Sequence, residues 1–236
     1  MRKKIALIMW LALLGVGLGL VGLPGLARGG TIDSTDHDFS GKTWNTAQFK
    51  CQICHTPHHA GQTRLIWNHK LSSQSYTWDE TKTYGGTTLP TNISTWGGST
   101  RLCLSCHDGS VAVGDLYHDG YGSSQSVTGD HVIGGGGVMD KNHPVAIPYP
   151  YNQAQNTYNG SIKTGDGVKL TTFVGDPTPS GIRLYNDNGG KVVIGTAAGK
   201  TGMECGSCHN PHDNANDPFL RVTNTKNAIC QSCHNY

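Results

Sequence analysis

Cys51-Gln52-Ile53-Cys54-His55-Thr56-Pro57-His58 is the first of four copies of one motif. It contains C-x-x-C-H, the attachment signature of a c-type haem, and a second histidine follows three residues later. The same arrangement returns as Cys205-Gly206-Ser207-Cys208-His209-Asn210-Pro211-His212. Shorter copies run from Cys103 to His107 and from Cys230 to His234, and together the four use all 8 cysteines. Two cysteines three apart lie on one side of a helical turn, where they can meet both vinyl groups of one haem. The next histidine then falls beneath the iron. The covalent attachment points are Cys51, Cys54, Cys103, Cys106, Cys205, Cys208, Cys230 and Cys233, and the proximal ligands are His55, His107, His209 and His234. Paired C-x-x-C units also bind zinc, and exported proteins form disulfides, but neither chemistry requires histidine after every second cysteine. The expected cofactors are four covalently bound haems c.

The far side of each iron needs its own ligand. Beyond residue 30 only Met139 and Met203 could give Met/His ligation, too few for four irons, whereas eight histidines stand outside the motifs. His58 and His212 lead. Three residues span at most about 10 Å, too little for the chain to round a porphyrin edge, so each should ligate a neighbouring haem. His143 follows, because Asn142-His143-Pro144-Val145-Ala146-Ile147 could lie against a porphyrin face. His37, in a polar N-terminal arm, is the fourth distal candidate. His118 and His131 flank glycine-rich loops, and His59 and His69 read as surface residues or propionate partners. No catalytic cluster stands out, so no enzymatic activity is expected.

Residues 1–30 read as a signal peptide: Arg2, Lys3 and Lys4, then an apolar run to about Leu23, then Pro24 and small residues near Gly25 and Ala27. Removing its four cations leaves 14 basic against 16 acidic side chains, a formal −2, which excludes a nucleic-acid footprint. From Thr31 onward there are 34 Leu, Ile, Val and Phe in 206 residues, below the share of about 20% at which a chain usually sustains a core. The haems are therefore expected to be the core. The expected fold is mostly irregular, with short helical turns at the haem motifs and a small β element at about 168–195. Residues 31–236 form one tetrahaem domain, with haem-pair modules at about 31–147 and 196–236 and a β-rich insert at about 148–195. Within the insert, Val168–Val174, Ile182–Tyr185 and Val192–Ile194 read as strands, the last two joined by a hairpin loop over Asn186 to Gly190.

The two C-x-x-C-H-x-P-H stretches, Cys103-Leu104-Ser105-Cys106-His107-Asp108-Gly109 and Asn142-His143-Pro144-Val145 resemble the doubled-CXXCH multihaem c-type cytochromes. Within that group the chain is similar to the tetrahaem, filament-forming (nanowire) outer-membrane cytochrome E-like proteins of metal-reducing bacteria. That resemblance implies bis-histidine haems in a continuous stack, a homopolymer in which the next subunit donates one ligand, and an extracellular or outer-surface location. It implies electron transfer between periplasmic or outer-membrane redox partners and extracellular acceptors. By position His37 is the candidate for the donated ligand. A monomeric periplasmic shuttle with the same haems, in which His37 ligates within its own chain, is the alternative, and a multihaem reductase with one open iron is a third reading.

Overall fold

A computed structural model describes residues 31–61, 64–77, 98–121, 125–140, 142–149, 173–186 and 201–235. The leader lies outside these residues, as do most of the expected strand 168–174 and all of 192–194.

The longest helix, α1 (Ser99–His107), carries the second haem motif. Leu102 and Leu104 face inward with Thr100 and Ser105. Asp108 N–H donates to Leu104 O at 3.0 Å, and Gly109 follows at φ +73°, the left-handed step that ends helices. The other motifs make one turn each. His55, His209 and His234 donate their N–H to the carbonyls of Cys51, Cys205 and Cys230 at 2.8, 3.0 and 2.9 Å. Two of these turns are short helices, α2 (Cys205–Cys208) and, overlapping the fourth motif, α3 (Ala228–Gln231). A capping box of Glu204 and Ser207 starts α2, satisfying N–H groups that the first turn leaves open.

One small antiparallel sheet is described, with strands β1 (Ile147–Pro148), β2 (Tyr185–Asn186) and β3 (Thr201–Met203) in the order β1-β3-β2. Ile147 pairs with Met203, and Tyr185 with Gly202. Tyr185 falls in the expected strand 182–185, but its partner strand is 201–203, beyond the expected insert, and the third strand, 147–148, lies at the insert's start. The reason is local. β3 runs straight into Glu204 and α2, and β1 follows His143, so the sheet ties His143's segment to the third haem motif.

Among the described residues, apolar packing is divided into three small clusters. Ile53, Val113 and Leu116 form one, Tyr76, Leu104, Met139 and Ala146 a second, and Tyr149, Ile182, Leu184, Met203 and Cys233 a third. Each includes a residue of a haem motif, so the motifs are anchored by their own interior positions. Met139 and Met203 are buried here as packing residues.

His69 departs from its expected place. It is 0% exposed, with Nδ1 2.7 Å from Lys70 O and Nε2 2.9 Å from Ala112 O. It is a structural residue, neither on the surface nor free to reach a porphyrin. Its neighbour Asn68 is equally buried and donates to Gln52 O and His118 O. Replacing His69 by Leu removes the one N–H that a neutral imidazole can donate to these two carbonyls. The expected cost is about 1–3 kcal/mol, read as a lower urea midpoint at constant slope, with haem content and visible spectrum unchanged.

Candidate haem-binding site

In each motif a later or earlier segment returns to pair with the proximal histidine. His55 bridges antiparallel to Trp67, His209 to Leu220 and His234 to Phe173. One residue beyond the bridge, the N–H of Asn68, Arg221 and Val174 donates to the second cysteine's carbonyl, at 2.9, 2.8 and 2.8 Å. In the second motif Ile133 N–H donates to His107 O at 2.6 Å. Two residues before the contact, a backbone carbonyl holds the imidazole. His55 Nδ1 lies 2.7 Å from Leu65 O, His107 Nδ1 2.9 Å from His131 O, and His209 Nδ1 3.0 Å from Pro218 O. A carbonyl accepts only from N–H, so Nδ1 carries the proton and Nε2 is left as the lone-pair donor for a metal.

Three of these histidines face a second one. Ring centroids are 6.0 Å apart for His55 and His212, 6.1 Å for His107 and His37, and 6.4 Å for His234 and His143. A metal–imidazole bond of about 2 Å on each side puts two rings on opposite faces of one iron roughly 6.3 Å apart, centroid to centroid. The three separations suit that arrangement. His143 Nδ1 is also held, 2.9 Å from Pro144 O. His212 sits in the turn of the third motif but faces the histidine of the first. His37 stacks on Phe219, centroids 4.5 Å apart at 20°, which holds it within its own chain.

Among the described residues no imidazole forms such a pair with His209, and His58 is exposed. His59 and His118 stand 5.0 Å apart, too close to sandwich an iron, with His118 Nε2 3.1 Å from Asp119 Oδ2. His131 contributes its carbonyl to the site.

The surroundings suit haem rather than a bare metal. None of the cysteines is in a disulfide. Burial pushes the Cys54 and Cys233 thiols up to about 12 and Cys208 to about 11, so these stand as neutral thiols in the chain without haem. Among the described residues, no group of three or more His, Cys, Asp or Glu side chains is placed to hold a metal ion. The buried Trp67 Nε1 and Arg183 Nε have no hydrogen-bond partner, and a propionate oxygen is an acceptor suited to either. Trp67 packs edge-on against His55, with ring centroids 5.7 Å apart at 83°. Bound haem supplies reversible one-electron chemistry at iron. The chain's part is to attach it, fix the imidazoles and exclude water.

Desolvation depresses His37, His209, His212 and His234 below their ordinary value of 6.5. His209 and His212 remain exposed residues, so only part of each ring is desolvated and solvent screens their share of the effect. Lowered values mean that the unfolded chain takes up protons first. The stability these groups contribute is complete above pH 6.5 and is lost as the pH falls through the window below it. Iron on Nε2 would take these groups out of that titration, so the loss belongs to the chain before haem is attached. Separately, His212→Ala, His37→Ala and His143→Ala should each turn one haem high-spin and CO-binding, while His118→Ala leaves the spectrum unchanged.

Residues 197–236 match the family described as the doubled CXXCH motif. No curated protein matches the chain. Residues 197–236 are thus a doubled CXXCH unit, the haem c attachment device of multihaem c-type cytochromes.

Proposed function

We propose that the chain is a tetrahaem c-type cytochrome that conducts electrons and makes no bonds of its own. The observation that carries this reading is the set of three facing histidine pairs, each joining a C-x-x-C-H histidine to one that does not itself follow a C-x-x-C. Two protein ligands per iron leave no open position for a substrate, so the haems exchange electrons only. The His212–His55 pair makes a single turn serve two haems, which brings successive porphyrins close. The haems form a stack, and the small apolar clusters cover its faces.

The filament reading centres on His209. Its sixth ligand is His58, the twin of His212 by position, and the exposed His58 donates it to the next subunit. The 6.1 Å separation between His37 and His107 of the same chain favours a ligand role for His37 within its own chain, so this reading takes His58 as the donor instead. The assembled chain is exported and works at the outer surface between periplasmic donors and extracellular acceptors. Among the described residues no helix is long and apolar enough to cross a membrane. Electron microscopy of the secreted protein should show filaments. His58→Ala should give discrete particles in which one haem per chain is high-spin. If the native protein forms only monomers and His58→Ala keeps every haem low-spin, the filament and this ligand both fall, and the monomeric shuttle remains.

A further inference from the structure

The second and third haem motifs are joined at the N-termini of their helices. Thr100 N–H donates to Glu204 Oε2 at 2.7 Å, Cys205 N–H to Thr100 Oγ1 at 3.0 Å, and Gly206 N–H to Ser99 Oγ at 2.9 Å. Each helix thus caps the other across more than a hundred residues of sequence. The N-cap of α1 is Gly98, which has no side chain to offer, so Glu204 serves in its place. The approach is close. A Cβ on Gly98 would sit 1.5 Å from Glu204 Oε1, and one on Gly206 2.6 Å from Ser99 Oγ. Glu204 is 0% exposed, and its own N–H donates to Ser207 Oγ at 2.9 Å.

The result is that the first turns of two different haem motifs are joined, with Cys205 N–H bonded to Thr100 three residues ahead of Cys103. Porphyrins tethered to these two turns would start from adjoining elements of the chain.

We propose that Glu204 is a positioning residue that fixes the spacing between the haems attached at Cys103–His107 and Cys205–His209, making these the most strongly coupled pair in the chain. The proposal rests on both motifs carrying haem. Glu204 works as an acceptor that reaches from one helix N-terminus to the other, where the exposed N–H groups and the helix dipole favour a carboxylate.

The test compares Glu204→Gln, which keeps an acceptor at the same reach, with Glu204→Ala, which removes it. Intact-mass spectrometry counts haems, and the excitonic Soret couplet in circular dichroism reads porphyrin–porphyrin geometry. With four haems attached, Glu204→Ala should lose at least half of the couplet amplitude and Glu204→Gln should retain most of it. A wild-type couplet in Glu204→Ala overturns the proposal, as does an equal loss in both variants, since charge would then be the relevant property. If Glu204→Ala does not mature, Ser99→Ala removes one of the three bonds. A reduced couplet there supports the clamp, and an unchanged one overturns it. Peptide masses showing no haem at Cys103–Cys106 or Cys205–Cys208 in the native protein would sink the underlying haem assignment instead.

Discussion

An imidazole has two nitrogens, and a ligand to iron can spend only one of them on the metal. The other must be held, or the ring turns and the proton sits on the wrong atom. This constraint organises the described structure. Each C-x-x-C-H turn is followed or preceded by a segment that comes back to it, and the returning backbone fixes the ring at Leu65, His131 or Pro218. The turns, the bridges and the clusters around Ile53, Leu104 and Cys233 serve that placement. Regular secondary structure is sparse because little of it is needed to bring a carbonyl to a nitrogen.

Thin hydrophobic content follows the same logic. An ordinary domain of this length would bury one continuous core, whereas here three separate clusters each back a haem motif. Porphyrins would supply the apolar surface that joins them. Polar residues take over where the chain must be held without them: His69 and Asn68 cross-link loops around the first motif, and Asp108 accepts from Tyr76 at 2.6 Å beside the second. These bonds define loop positions that few apolar contacts could specify.

Much of the site was legible because haem attachment demands particular side chains at fixed intervals. Cys and His leave no freedom at those positions, and the chain-length argument that sends His212 to a neighbouring motif agrees with its ring lying 6.0 Å from that of His55. His143 and His37 were readable as surplus imidazoles, though the sequence said nothing of where His37 would fold back, and Phe219 holds it inside the chain. The return segments could not be read, because they act through backbone carbonyls that every residue possesses. His69 was misplaced since nothing local distinguishes a buried imidazole facing two carbonyls from an exposed one. The strands were too short, two or three residues each, to show alternation. Glu204 was missed as a lone acid, although Ser207 three residues later is the reciprocal half of a capping box and was there to be noticed.

The carbonyl anchors have a consequence for how such a chain can change. A side-chain anchor is lost with one substitution, but no replacement at Leu65, His131 or Pro218 removes a backbone oxygen. Sequence at these positions is free to drift, within the limits of local conformation. Length is not. The anchor lies 10 residues after His55, 24 after His107 and 9 after His209, and each interval is closed at both ends by hydrogen bonds. Variation in this protein should therefore accumulate as substitution within the return segments, while insertions and deletions are confined to stretches outside the closed intervals.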